Sequence, residues 1–351
     1  MPPRGAGIAS RRILILFTGD QALAHGRPEE SLAVSAVRET AEAVHSACAA
    51  NGWDGVLQEA PPDPAALLEK VRKVGPDLVF HLVESLEGEA RFEAAVASLL
   101  DWLGVPYTGS PPPALALALE KPLARAVLGG RGVPVPRGCV LRHGEEPIRG
   151  LRPPWIVKPS REDASHGIGP DSVVQNESEA RERARRIIAI YRQPALLEEF
   201  APGREFNVSL LGEGEAVEAL PVAEIDYSGF PADVPPLLTY RAKWETGSEE
   251  YQGSRVRHPE DLSPGLAGAL VETARSAYGA LGLRDYGRVD VRLSRRGTPV
   301  VVDVNANPDL SPDAGFAGAA ARKGMSYADL IGRIVASALG RTHRVPGSPT
   351  R

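Results

Sequence analysis

The sequence predicts an α/β protein whose first third is a doubly wound parallel sheet. Three observations carry that expectation. Short apolar runs of strand length alternate with stretches of helical spacing through the first hundred residues. Glycines close the helical stretches at Gly52, Gly75 and Gly104. At 351 residues the chain is long enough for two or three domains, each with its own core.

The elements follow in order. Residues 13–17 read as a buried strand, 29–51 as a helix, 55–58 as a second strand and 64–74 as a short helix. Residues 77–82 read as a third strand, 89–103 as a helix and 105–107 as a short strand. A prolyl run at 111–113 punctuates the chain, and a helix is expected over 114–128. That places one boundary near residue 116, with an N-terminal Rossmann-like domain over 11–116. The next segment reads as α+β, with strands at 138–141, 155–158 and 195–200 and a charged helix over 177–192. Beyond it come strands at 206–211 and 215–224, a Pro- and Gly-rich loop over 226–244, and a helix over 262–281. Strands at 287–293 and 299–305 flank a short turn and read as a β-hairpin. A final helix is expected over 327–339, and the basic, Pro- and Gly-rich tail at 341–351 reads as disordered.

Composition excludes several functions. A net charge of −5 argues against a nucleic-acid-binding surface spread over the molecule. No apolar run approaches the roughly 20 residues of a membrane span. The start, 1–12, is small and basic, but the apolar run after it is too short for a signal-peptide core. Cys48 and Cys139 stand alone, without the spacing of a zinc site, and suit a reducing, cytoplasmic compartment.

Chemistry gathers at four places. On the hairpin, Asp303 and Asn305 are two apart and share a face, and Asp290 can lie opposite them. Two carboxylates and an amide suit Mg²⁺, which keeps water and substrate phosphates as its other ligands. Arg288 shares that face and can stabilise a developing anion; a salt-bridged hairpin is the competing reading. Lys158 ends a strand and opens into the small polar loop 160–169, a pattern suited to phosphate but unlike the P-loop. A solvated turn is the alternative there. Glu198 and Glu199 end another strand ahead of Glu205, where acids can bind an amino group and ribose hydroxyls; an ordinary charged turn would look the same. Lys243 ends the long 226–244 loop, and loops of that length commonly act as lids or binding segments.

The order of these features resembles the ATP-grasp superfamily and, within it, the D-alanine–D-alanine ligases. The likeness runs from about residue 78 to 339. It includes Val105-Pro106-Tyr107-Thr108-Gly109-Ser110, Glu120-Lys121, Val157-Lys158-Pro159-Ser160, Glu198-Glu199-Phe200, Ala242-Lys243, Arg288-Val289-Asp290 and Asp303-Val304-Asn305. The resemblance implies three α/β domains, with a central ATP-grasp unit over 117–205 and a C-terminal one over 206–340. It implies ATP and Mg²⁺, with Mn²⁺ as a substitute, small-molecule acid and amine substrates, and a homodimer. By the same resemblance Lys121 and Lys158 would contact the ATP phosphates, and Ser165 is a further nucleotide-binding residue. Glu198, Phe200 and Ala201 would frame the adenine, and Glu205 the ribose. Lys243 would reach the γ-phosphate, Asp290, Asp303 and Asn305 would hold the metal, and Arg288 would stabilise the tetrahedral intermediate. The expected activity is formation of an amide bond through an acyl phosphate. A ligase for another amino acid or metabolite, an ATP-grasp carboxylase and a non-catalytic nucleotide-binding protein are the alternatives. The chain departs from the family at Ala164, Trp244, Asp309 and Ala314, all on the substrate side. Asp303 replaces a glutamate, and Glu29 and Glu30 are the candidates for an N-terminal glutamate.

Overall fold

The computed structural model describes residues 10–32, 36–231 and 234–341. Three sheets organise them. The first is parallel, as expected: β1 (Arg12–Phe17) lies between β2 (Asp54–Glu59) and β3 (Leu78–Leu82). Its apolar run is buried because helices cover the sheet: α1 (Val37–Ala50), α2 (Pro64–Val74) and α3 (Phe92–Leu103). The sequence sets the limits of α2 directly. Asp63 accepts hydrogen bonds from the backbone of Ala65 and Ala66, Pro64 opens the helix, and Gly75 closes it at φ +57°. The helix expected from residue 29 has a different start. A 3₁₀ turn occupies Pro28–Glu30, residues 31 and 32 are helical, 33–35 of the expected helix lie outside the described residues, and α1 runs from Val37.

The strand expected at 105–107 reduces to one parallel bridge, Val79 to Tyr107. Pro106 accepts from the Val79 N–H at 2.8 Å but has no N–H to return. The helix expected over 114–128 is two helices, α4 (Pro112–Leu119) and α5 (Lys121–Gly130). Pro122 cannot donate to the preceding turn and its ring crowds the carbonyl there, so the helix breaks at Glu120. The break frees the Lys121 N–H to donate to the Ser160 carbonyl at 3.0 Å.

The second sheet is antiparallel, in the order β4 (Gly138–Leu141), β7 (Ala195–Glu199), β5 (Trp155–Pro159), β6 (Val173–Val174). Helix α6 (Glu177–Tyr191) packs Ala184 and Ile187 against it and is capped by Asn176. The third sheet runs β11 (Arg255–Arg257), β10 (Ala223–Asp226), β8 (Glu205–Leu211), β12 (Tyr286–Leu293), β13 (Pro299–Asn305), with β9 (Glu218–Ala219) also on β8. The strand expected over 215–224 is therefore split, at Leu220 and Pro221, for the same lack of a proline donor. The end of the expected 226–244 loop is helical. Thr239 caps α7 (Tyr240–Trp244), and α8 (Glu249–Gly253) follows. Helix α9 (Pro264–Ala280) packs on β12 and β13.

Two C-terminal helices return to the first sheet. The Ala-rich α10 (Gly315–Arg322) was not foreseen, and α11 (Tyr327–Gly340) packs Ile331, Ile334 and Val335 into the cluster that holds Val44 and Cys48 of α1. Asp285, 1% exposed and in the left-handed region at φ +62°, fastens this return. Its carboxylate accepts from the Gly109 N–H at 2.8 Å and Ser337 Oγ at 2.7 Å, and it pairs with Arg341. Arg341, the first residue of the tail expected to be disordered, is thus pinned; 342–351 lie outside the described residues, as do 1–9 of the basic start. Among the described residues no helix is long and apolar enough to cross a membrane.

Replacing Asp285 by Ala leaves Arg341 without its buried partner and an unfavourable left-handed backbone. Urea unfolding of Asp285→Ala is expected to lose about 3 kcal/mol. Asp285→Asn, which tolerates the backbone and keeps hydrogen-bonding atoms, is expected to lose less.

Candidate functional site

The hairpin sets the floor of the site. Arg288 pairs with Asn305 and Asp290 with Asp303 across β12 and β13. The register then shifts, and Val302 has no partner, because Val291 pairs with Val301. This bulge is what the site needs. It turns Val301 toward the core under α9 while Asp303 and Asn305 face the cleft. It also turns the Val302 carbonyl to Lys158, whose Nζ donates to it at 3.1 Å.

Arg288 and Asp290 form a two-point ion pair, Nε to Oδ1 at 2.7 Å and Nη2 to Oδ2 at 2.9 Å. Asn207 and Asn305 each donate a further bond to Asp290, at 2.7 and 3.0 Å. Lys121 reaches the floor from the helix break. Its Nζ lies 3.0 Å from Asp303 Oδ1 and 3.0 Å from Asp163 Oδ1. Burial alone would push Asp303 up, but the ammoniums of Lys121 and Lys158 hold it below the usual carboxylate range. Lys121 rises against its own burial because two carboxylates hold its proton. Burial and Arg288 push Lys243 down, against the pull of Asp309, Asp290 and Glu84.

The back of the cleft is the second sheet. Lys158 Nζ pairs with Glu198 Oε2 at 2.8 Å, and both are buried. Arg125 Nε lies 2.6 Å from Glu198 Oε1, as an ion pair without the alignment of a hydrogen bond. Arg292 sits at the far end. It donates to Glu205 Oε2 at 2.7 Å and to the Ala201 carbonyl at 2.8 Å, and stacks 4.8 Å over Phe200. Tyr227 also donates to Glu205, at 2.7 Å.

The loop after Lys158 covers the opening. Ala164 and Ser165 are both left-handed, at φ +52° and +62°, a costly conformation that its neighbours must hold. Trp244 Nε1 donates to the Ala164 carbonyl and Ser165 Oγ to the Leu238 carbonyl, each at 3.0 Å. The Tyr240 N–H donates to Ile168 at 3.0 Å, and its ring stacks on His166 at 5.6 Å. Of the two N-terminal glutamates, Glu30 is the one that arrives. Its carboxylate accepts from the Gly167 N–H at 2.8 Å and Tyr191 Oη at 2.7 Å.

The twelve residues expected to hold nucleotide or metal or to act in catalysis line this one cleft: Lys121, Lys158, Ser165, Glu198, Phe200, Ala201, Glu205, Lys243, Arg288, Asp290, Asp303 and Asn305. Its space is about 930 Å³, open solvent included. Trp244, Asp309 and Ala314 line a neighbouring one. Four residues escaped the sequence reading. Arg292 had a signal, since Arg288, Asp290 and Arg292 alternate on one strand face. Arg125, Asp163 and Glu84 had none, being brought in only by tertiary folding.

The C-terminal part of the chain matches a family model described as D-ala D-ala ligase C-terminus, over residues 143–336. An uncharacterized protein, y4sG of Sinorhizobium fredii, is 35% identical over 88% of this chain and 87% of its own. A D-alanine–D-alanine ligase of Gluconobacter oxydans is 30% identical over 86% of this chain and 93% of its own. The crystal structure of a D-alanine–D-alanine ligase from Bacillus anthracis, complexed with ATP, covers 94% of this chain and 98% of its own with a TM-score of 0.73. Its 19% identity makes that a likeness of fold.

The cover segment depends on a single indole N–H for its link to Ala164. Trp244→Phe keeps the ring and removes that bond. Amide exchange over 163–168 is expected to quicken about fivefold, the equivalent of one hydrogen bond, while the global unfolding midpoint barely moves.

Proposed function

The chain belongs to the D-alanine–D-alanine ligase family, and from that premise we propose that it is an ATP-dependent ligase that activates a carboxylate as an acyl phosphate and joins it to an amine. The observation that carries the reading is the meeting of Lys121, Lys158 and Lys243 with Asp290, Asp303 and Asn305 in one cleft. Three ammoniums beside two carboxylates and an amide make a place for a polyphosphate and its counter-ion.

The chemistry needs such a place. A carboxylate is a poor electrophile because its leaving group is poor. Attack of its oxygen on the γ-phosphorus of ATP releases ADP and leaves an acyl phosphate. A free amine then attacks the carbonyl carbon, phosphate departs and the amine sheds a proton. Phosphoryl transfer asks for positioning and charge compensation. In this reading Lys121, Lys158 and Ser165 hold phosphate oxygens, and Lys243 reaches the γ-phosphoryl group. Phe200 and Ala201 frame the adenine with Glu198 on its amino group, and Glu205 takes the ribose hydroxyls. Arg288 faces the carbonyl oxygen that becomes negative when the amine adds. The cover formed by residues 161–169 and α7 keeps water from the acyl phosphate.

The floor also suits a metal ion. Asp290 and Asp303 stand directly opposite each other with Asn305 beside them. Among the described residues no group of three or more His, Cys, Asp or Glu could hold an ion without help. Two carboxylates and one amide oxygen are a hard, incomplete set, of the kind Mg²⁺ completes with phosphates and water. Bound there, Mg²⁺ would offset negative charge on the phosphates. In the protein alone Lys121 and Arg288 supply that compensation to the acids themselves.

The test is phosphate release from ATP and Mg²⁺ against D- and L-amino acids, singly and in pairs. At least one pair is expected to stimulate release and yield an amide-linked product. ATP binding without stimulation by any substrate would count against a ligase. With an active pair in hand, Asp303→Asn and Arg288→Ala are each expected to lower kcat about 100-fold; unchanged turnover would remove the residue from its assigned role.

A further inference from the structure

A second compartment opens behind the metal-type residues. It shares Glu162, Asp163, Ala164, His166 and Asn305 with the first cleft and runs on between the segment after β3, at Glu84 and Ser85, and α4. One wall is apolar, with Leu23, Leu115 and Ala118, and its polar groups include the acids Glu84, Glu93, Glu162 and Asp163. Glu84 and Glu93 stand out among them. The Glu84 carboxylate has no hydrogen bond or ion pair among the described residues, although its backbone N–H is held by Thr18. Glu93 accepts one neutral bond, from Asn307 Nδ2 at 2.9 Å, and Asn307 is itself oriented by Tyr286 Oη at 2.8 Å.

The surroundings do not neutralise this pair. Asp163 is paired with Lys121, and Arg288 is committed to Asp290. Asp309 adds negative charge, and Lys243 is the cation that acts on Glu84. Burial, Asp309 and Asp163 push the Glu84 carboxyl up to about 8, against Lys243; the side chain keeps contact with cleft water, which moderates these charges. Burial pushes Glu93 well up, and Glu84 adds to it. A second observation points the same way. His166, 6% exposed on the shared wall, leaves Nε2 without a hydrogen-bond partner among the described residues. The compartment sets an apolar wall beside an exposed and a half-buried carboxyl, neither in an ion pair among the described residues, so it offers a place to a positive charge at the end of an apolar body. The α-ammonium of a small neutral amino acid offsets one carboxylate only, and its side chain leaves the apolar wall uncovered.

We infer that the compartment formed by Glu84, Glu93 and the apolar wall of α4 takes a substrate with a second cationic group, an amino acid whose basic side chain lies along that wall and ends on the two carboxylates. The inference takes from the ligase reading that this molecule reacts; that it binds stands separately, and the test keeps the two apart.

The full-length protein, with Mg²⁺ and a non-hydrolysable ATP analogue, is titrated by calorimetry with both enantiomers of lysine, norleucine and alanine. Norleucine matches the apolar length of lysine without its charge. One enantiomer of lysine is expected to bind at least about tenfold more tightly than the corresponding norleucine, as a charge-assisted pair requires. In Glu84→Gln and Glu93→Gln that preference is expected to shrink toward unity, while affinity for the nucleotide analogue, which reports a folded cleft, is retained. Equal or tighter binding of norleucine or alanine overturns the inference. So does a Glu84→Gln protein that binds nucleotide normally and keeps the full preference for lysine. Phosphate release with ATP is then measured on the same panel. Lysine that binds but stimulates no release leaves the compartment standing and counts against the ligase reading. Release driven by alanine, with lysine unbound, does the reverse.

Discussion

The ion pair between Lys121 and Asp303 is the contact on which the cleft depends. It joins a helix break to the floor of a different sheet, across 182 positions of sequence. Neither partner is cheap to bury. A lone ammonium or carboxylate in such a place would lose its charge or leave the cleft. Together, and with Asp163 on the other side of Lys121, each keeps the other ionised. The same arrangement recurs twice, with Lys158 on Glu198 and Arg288 on Asp290. The cleft thus carries its charges ready-made and mutually satisfied. In the proposed reading, a polyphosphate with a divalent ion would exchange partners with these groups without creating or destroying charge.

That balance rests on two departures from regular structure. Pro122 ends α4 and starts α5 one residue ahead of itself, which is what aims Lys121. The unpaired Val302 reverses the alternation of β13, so that Val301 and Val304 stay in the core and Asp303 and Asn305 in the cleft. Without the bulge, strict alternation would set Val301 on the same face as Asp303. Irregular backbone here is the means by which a sheet and a helix pair present charge to a common space.

Much of this was legible beforehand, for identifiable reasons. The parallel sheet was plain from the run at 13–17 and its glycine-stopped helices, because burial on both faces demands continuous apolar strands. The hairpin residues were found because a period of two is visible in Asp303 and Asn305. What failed turned on proline. Pro106, Pro122 and Pro221 each lie inside an element that periodicity alone carries through, and each interrupts it by withholding an N–H. The α10 helix was missed because its alanines and glycines offer small apolar residues without a polar face to mark a period. The partners Arg125, Asp163 and Glu84 were illegible for a different cause. A charged residue declares its function only through what folding sets beside it, and spacing in the sequence carries no trace of that.

The departures from the family pattern take on physical meaning in the same terms. Ala164 has no hydroxyl, yet the segment is still fastened, because the Trp244 indole reaches its carbonyl and Ser165 reaches Leu238. A backbone acceptor is present whatever the side chain, so loss of a hydroxyl there need not open the cover. Glu30 meanwhile bonds Gly167 and Tyr191. It holds the cover segment to the N-terminal part of the chain without entering the reaction space. Changes of this kind conserve closure. Asp309 is of another kind, because it adds negative charge beside the cleft, where it pushes the Glu84 carboxyl up against the pull of Lys243. A charge at the edge of such a space acts on whatever else occupies it, moderated by the water that reaches it. Substitutions that fasten the cover can therefore accumulate with the reaction unchanged, whereas those that change the enclosed charge must change which molecule is at home inside it.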